Sequence, residues 1–221
     1  ADVVIWGRNE HRNESAIDAI SAHGRQALAL TVDVGEEEQV VRAFADTLDA
    51  FEHVDAVFAN AGIGAGGTPF AEMTTEEWRA IFRVNMDGVF WTFREAVLHM
   101  KERGSGSLVV TSSVSADFGF PRGEHYAATK AGVRALIQGI AVEYGRQGIR
   151  ANAIAPGWVV TGMTDGFIEH DRFETTVKPR IPAGRWGSPE DFAGIAVYLA
   201  SDASVWHTGD TITIDGGYLR K

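Results

Sequence analysis

The sequence predicts a doubly wound α/β domain: a mostly parallel sheet with helices on both faces. Three observations carry this. Short apolar runs alternate with segments of helical periodicity along the whole chain, the pattern of repeated βαβ units. The runs lack polar alternation, as strands buried on both faces require. Three of them close on Asn60, Ser113 and Pro156-Gly157, and the C-terminal ends of parallel strands share one edge, where ligands bind in such sheets. The 221 residues suit one domain, 1–221, better than two small ones.

Each element has its own signal. Val3 to Trp6 is an apolar run stopped by Gly7, and a helix with Ala16, Ile17 and Ile20 inward follows. Ala27 to Val32 is the next strand. From Glu36 the spacing Val41, Phe44, Leu48, Phe51 is helical. Val54 to Ala59 is a strand ending at Asn60-Ala61-Gly62. Thr74 and Glu77 form a capping box that opens a long helix through Trp78, Phe82, Val89, Phe93 and Val97. Leu108 to Thr111 is a strand that delivers Ser112 and Ser113. A helix carrying Tyr126 and Lys130 runs to about Gly145, and Ala151 to Ala155 is a strand stopped by Pro156-Gly157. Ser188-Pro189-Glu190 is an N-cap with proline in the first helical position, opening a helix that reaches about Ala200. Thr211 to Ile214 is the last strand, closed by Asp215-Gly216-Gly217. The irregular stretch at about 158–187 is too long for a bare connector, and such loops are usually lids or binding loops.

Composition narrows the function. A net charge of −10 argues against nucleic-acid partners, which select basic stripes. No apolar run approaches membrane-spanning length. With no cysteine, disulfides and thiolate metal sites are excluded, and a reducing cytoplasm is compatible. No metal site is expected.

The chemistry centres on Tyr126 to Lys130. Residues four apart share a helix face, so both side chains reach one site. An ammonium beside a phenol favours the phenolate and is expected to lower a pKa that starts near ~10. A serine hydroxyl at the same spot, here Ser113, hydrogen-bonds the oxygen that gains or loses the proton. This is equipment for interconverting a carbonyl and an alcohol. A lone YxxxK is common by chance, so its surroundings decide.

Those surroundings resemble the short-chain dehydrogenase/reductase family over nearly the whole chain. The matching stretches are Asp33-Val34 after a strand, Asn60-Ala61-Gly62, Val84-Asn85, Ser112-Ser113, Tyr126 to Lys130, Asn152 to Gly157 with Thr161, and Asp215-Gly216-Gly217. The resemblance implies a Rossmann-like fold and an NAD(P)-dependent oxidoreductase acting on a ketone or secondary alcohol. It makes Tyr126 the general acid/base, with Lys130 tuning it and binding the nicotinamide ribose, and makes Ser113 the holder of the substrate oxygen. Asn85 would shape the long helix and hold a water in a proton relay. Asp33 and Val34 would flank the adenine, although Asp33 also suits a cap for the next helix. Asn60, Ala61 and Gly62 would line the cofactor groove, and Pro156, Gly157, Val159 and Thr161 would position the carboxamide. Asp215-Gly216-Gly217 reads as a structural turn near a subunit contact. A homo-oligomer, a tetramer, is implied, with Val205 to Tyr218 as an exposed segment.

The cofactor choice is read at the end of the first strand present. An acidic residue there would bind ribose hydroxyls and repel a 2′-phosphate. Gly7-Arg8 removes the carboxylate and adds a guanidinium suited to phosphate, so NADP is expected, with NAD possible. Phe118, Phe120, Trp158, Met163, Phe167 and Trp186 are candidates to line a substrate pocket; Arg122, His125, His170 and Arg172 are candidates for a polar or anionic group. The family's glycine-rich phosphate loop has no counterpart before Val3, and Gly62 to Gly67 lies in the wrong place to replace it. The first strand and helix of the family pattern are therefore expected to be missing. Two alternatives stay open: a cofactor-binding regulator without turnover, and an epimerase or dehydratase of the extended branch.

Overall fold

A computed structural model describes residues 1–168 and 170–220, without the side chain of Phe167. The elements run β1 (Val3–Gly7), α1 (Glu10–Ser21), β2 (Ala27–Thr31), α2 (Glu37–Phe51), β3 (Ala56–Ala59), α3 (Thr75–Phe82), α4 (Gly88–Arg103), β4 (Gly106–Thr111), α5 (Glu124–Tyr144), β5 (Ile149–Pro156), α6 (Asp165–Ile168), α7 (Asp171–Thr176), α8 (Ala193–Ala200) and β6 (Thr211–Ile214).

Every strand pairing is parallel. The strands form two groups, β1-β2 and β3-β4-β5-β6. In the larger group Leu108 and Val110 of β4 face α4 and α5, where Phe93, Met100, Val133 and Ile137 are buried. Val109 points to the other face with Ile154, under Leu199 and Ile195 of α8. Alternation along β4 thus feeds two cores, which is why the run reads as continuously apolar.

Facing edges of β1 and β3 line a cleft of about 820 Å³, walled by Val3 to Trp6, Val54 to Ala61, Phe44, Val84 and Val89. Among the described residues neither edge has a ladder partner on the cleft side. The chain's first βα unit is β1 with α1.

Three expectations change. In α2 Phe44 is buried and Leu48 packs on the core as expected, but Val40 is fully covered while Val41 is 39% exposed, and Ala43 and Thr47 are buried beside them. Thr47 belongs there because its hydroxyl donates to the Ala43 carbonyl and accepts from Trp6 Nε1. The long helix predicted from Thr74 has its capping box, but a π-helical turn, Arg83–Asp87, separates α3 from α4. Trp78 stacks on Phe82 at the surface, 4.7 Å between rings, and does not enter the core. The Ser188 box caps a 3₁₀ turn, Pro189–Phe192, before α8 begins.

Candidate active site

The parallel register puts the ends of β3, β4 and β5 on one edge: Ala59 lies beside Val110, and Thr111 beside Ile154. Ser112 and Ser113 follow β4 directly. Ser113 is extended (φ −165°, ψ 151°) and caps a short 3₁₀ turn, its Oγ accepting from Ser115 N at 3.1 Å. That leaves its hydroxyl hydrogen free, and Ser113 acts to lower the Tyr126 pKa. Tyr126 and Lys130 lie one turn apart on α5, with the Lys130 Nζ 5.7 Å from the Tyr126 ring centre.

The electrostatics differ from expectation. Burial pushes the Tyr126 phenol up, and the Ser113 hydrogen bond opposes this only in part. The expected lowering by Lys130 is not realised. The ammonium lies 5.7 Å from the ring centre and donates to the Thr111 carbonyl at 2.7 Å. Lys130 is 5% exposed, and loss of water pulls its pKa down to about 8. At neutral pH the site therefore holds a protonated phenol beside a lysine that is still largely charged.

Asn85 is fully buried in the π-helical turn. Its amide accepts from Ile63 N at 2.9 Å, donates to Ile63 O at 3.0 Å, and reaches Thr129 Oγ1 at 3.4 Å. A helix-interior asparagine is thus fully partnered, and it ties the 60–63 loop to α5. Gly62 lies against this amide: a Cβ there would come within 3.2 Å of Asn85 Oδ1 and 3.6 Å of Lys130 Nζ. Asn60 accepts from Thr111 Oγ1, so the residue whose carbonyl holds Lys130 also anchors the loop. Ala61 is exposed on the same edge.

At the far end, Arg8 and Asp33 meet, Nη1 to Oδ2 at 3.8 Å, and Arg83 approaches the same carboxylate at 3.8 Å. Asp33 does not cap α2. Its Oδ1 accepts from Gly35 N, and the N-cap position is Glu36. Val34 lines the cleft between β1 and β3. Arg83 was not singled out in the sequence; only its place two residues before Asn85 hints at it.

Beyond β5, Gly157 N donates to Ile214 O, and the Gly157 Cα lies so close to Asp215 that a Cβ would sit 2.7 Å from its backbone. Val159 pairs with Gly187 to close the base of the 158–187 segment. Thr161 N donates to Thr164 Oγ1 at the start of that segment. Met163 packs on Gly64, so the segment lies over the loop after β3.

The aromatic candidates form a connected wall. Phe120 is 6.2 Å from the Tyr126 ring, Phe118 6.3 Å from Phe120, Tyr218 5.8 Å from Phe118, and Trp158 6.3 Å from Tyr218. Trp158 also meets Phe173 and Trp186. The side chain of Phe167 lies outside the described residues. Tyr218 is 4% exposed, so the expected exposed C-terminal segment holds at Val205 and Trp206 but not there. The Asp215 carboxylate winds this turn, accepting from Gly217 N and Leu219 N. Of the polar candidates, His125 is 3% exposed beside Glu77, and His170 caps α7 by accepting from Arg172 N. Arg122 is exposed at a positive φ of 64°.

Comparison with known proteins follows this geometry. A family model described as enoyl-(acyl carrier protein) reductase matches residues 1–219. Gluconate 5-dehydrogenase of Gluconobacter oxydans is 34% identical over 217 residues, covering 98% of this chain and 84% of the relative. The 3-oxoacyl-acyl-carrier-protein reductase FabG of Chlamydia pneumoniae is 33% identical over 217 residues, covering 98% and 86%. Among solved structures, a gluconate 5-dehydrogenase from Burkholderia cenocepacia in complex with NADP and tartrate superposes with a TM-score of 0.94 at 34% identity, covering all of this chain and 86% of that one. With sequence, fold and the Ser113, Tyr126 and Lys130 edge in agreement, the chain belongs to the short-chain dehydrogenase/reductase family.

Proposed function

We propose that the protein is an NADP(H)-dependent oxidoreductase that interconverts a ketone and a secondary alcohol. The observation that carries this is the convergence of Ser113, Tyr126 and Lys130 on the edge where three strands end, with Lys130 Nζ 5.7 Å from the Tyr126 ring centre and Ser113 acting on the phenol. Bound NADPH supplies the hydride. The chain's residues bind, orient and protonate. In reduction the substrate oxygen lies between two hydroxyls: Tyr126 gives it a proton and Ser113 donates a hydrogen bond. A phenol whose pKa is raised by burial stays protonated at neutral pH, the form reduction needs. Lys130 holds its charge beside the phenolate that forms.

The groove fits a dinucleotide. Gly62 leaves room beside Lys130 and Asn85 that a side chain would fill. Lys130 would hold the nicotinamide ribose; Asn60, Ala61 and Gly62 would line the groove; Pro156, Gly157, Val159 and Thr161 would face the carboxamide; Asp33 and Val34 would flank adenine. Arg8 would take the 2′-phosphate. Its pair with Asp33 is long and its side chain is 62% exposed. An exposed pair of this kind is worth about 0–1 kcal/mol, so a charge-assisted phosphate contact of roughly 1.5–3 kcal/mol displaces it. Asn85 would also hold a water in a proton relay reaching Lys130.

Polyhydroxylated acids are the first substrates to try, because several relatives are named for gluconate or 5-keto-D-gluconate. The test is a scan of ketones, starting with 5-keto-D-gluconate, against NADPH and NADH. Turnover with NADPH preferred supports the reading. Tight NADPH binding without turnover of any ketone supports a regulator instead.

Two further features belong to the working protein. The cleft between β1 and β3 receives a parallel strand with its glycine loop and helix. The cleft walls, Val3 to Trp6 and Val54 to Ala59, present the unpaired edges that such a strand would take up. The active species is a homotetramer. Supporting this are Val197, Val205 and Trp206, at 69%, 72% and 98% exposure, and Phe90, Leu98 and Val142 on α4 and α5; exposed apolar patches mark association surfaces.

A further inference from the structure

We infer that Arg134 is a positioning residue for the catalytic serine, held in place for that task by Asp117. The inference rests on the oxidoreductase reading. Arg134 lies on α5 one turn beyond Lys130, and four contacts converge on its guanidinium. Nε donates to Ser112 Oγ at 2.7 Å. Nη2 donates to the Ser113 carbonyl at 2.5 Å. Nη1 and Nη2 grip the two carboxylate oxygens of Asp117 at 2.7 and 2.8 Å. The Arg134 side chain is only 16% exposed.

The geometry is that of a fork, which only arginine presents. Asp117 fixes the plane of the guanidinium, and the remaining donors then hold the Ser112 hydroxyl and the Ser113 carbonyl. Ser112 is 2% exposed, and its hydroxyl donates onward to the Lys130 carbonyl at 2.7 Å. Strand end, serine and lysine helix are therefore joined through one side chain. Ser113 needs this support. It is extended at the mouth of a short 3₁₀ turn, and among the described residues Ser115 N is the hydrogen-bond partner that holds its hydroxyl. A shift in its carbonyl turns the hydroxyl away from Tyr126. Misplacing a reacting group by 1 Å costs about 10²-fold in rate.

The test has one arm on the resting protein and one on turnover. The tyrosinate absorbance of Tyr126 is titrated as the difference between parent and Tyr126→Phe, for the Arg134 series with and without that change. Arg134→Met is expected to raise the midpoint, because the Ser113 bond that opposes the upward shift is lost. Arg134→Lys keeps the charge but not the fork, and is expected to raise it as well. The same variants are assayed for NADPH oxidation with 5-keto-D-gluconate, where kcat should fall about 10–100-fold with KM changed less than threefold. Asp117→Asn keeps volume and should give a smaller effect in the same direction; it replaces Arg134→Met if that protein melts early. Unchanged midpoint and kcat in Arg134→Met overturn the inference, as does full restoration by Arg134→Lys, which would assign the effect to charge alone. A raised midpoint in a parent that turns over no ketone keeps the positioning role and removes the oxidoreductase reading.

Discussion

Lys130 is the residue on which burial and charge compete most directly. Its pKa falls from an ordinary 10.5 to about 8 because its ammonium has little water. The sign follows from linkage: between those values the unfolded chain binds a proton that the folded one does not, so folded stability rises with pH. Lys130's contribution is thus fullest above 10.5 and is lost as pH falls to about 8, a span on the order of 3 kcal/mol at ~1.36 kcal/mol per unit. Urea unfolding of the parent and Lys130→Met should show the parent gaining on the variant between pH 8 and 10.5; parallel curves would mean that Lys130 is not desolvated. Arg8→Ala should weaken NADPH about ten- to a hundredfold while leaving NADH nearly alone, measured by fluorescence titration. Equal losses would mean that Arg8 stacks on adenine. At this scale the sequence was most legible where spacing alone fixes geometry, as for Tyr126 and Lys130 four apart. It was least legible where partners come from distant segments. Arg134 meets Asp117 and Arg83 meets Asp33 across many residues, and no local pattern announces either pair.

Among the elements, the π-helical turn Arg83–Asp87 and the 158–187 segment shape the site. A π turn adds one residue to a helix and often marks a functional position; here Asn85 is buried in it, and the seven-residue spacing from Phe82 to Val89 reads as unbroken helix and hides the inserted residue. Strands were legible to within two residues because their apolar runs are sharply punctuated. Val41 was misplaced since Val40 and Val41 are equivalent by composition, and packing against α4, distant in sequence, decides which is covered. Tyr218 was missed for a related reason: a terminal tyrosine has no periodicity. It touches Phe118, Trp158 and, at 4.8 Å, the Arg180 guanidinium, and so links the serine loop to the covering segment. Tyr218→Ala should lower stability by about 3 kcal/mol and raise KM for the ketone several-fold without changing NADPH affinity, whereas Tyr218→Phe keeps the ring contacts and should behave like the parent. A loss of NADPH affinity equal to the rise in KM would place Tyr218 in cofactor binding instead.

For the whole molecule, the division of the sheet is the dominant energetic fact. Two half-buried edges face each other across a cleft, and a strand seated between them would pair their backbone groups, each hydrogen bond worth about 0.5–1.5 kcal/mol, against a typical domain stability of about 5–15 kcal/mol. A chain extended by a strand, glycine loop and helix ahead of β1 should melt higher and bind NADPH more tightly than residues 1–221 alone. Equal melting and equal NADPH titrations would show that the cleft needs no strand. In light scattering at micromolar concentration the extended protein should run as a tetramer, and a monomer would leave Trp206 and Val205 without an assembly role.

The central claim is that the Tyr126 hydroxyl moves the proton. The most direct measurement is ketone reduction by Tyr126→Phe beside the parent, with NADPH affinity and thermal melting recorded on both. Removing one hydroxyl should lower kcat by at least about 10²–10⁴-fold, with melting and NADPH affinity nearly unchanged. Turnover within a few-fold of the parent would contradict the account.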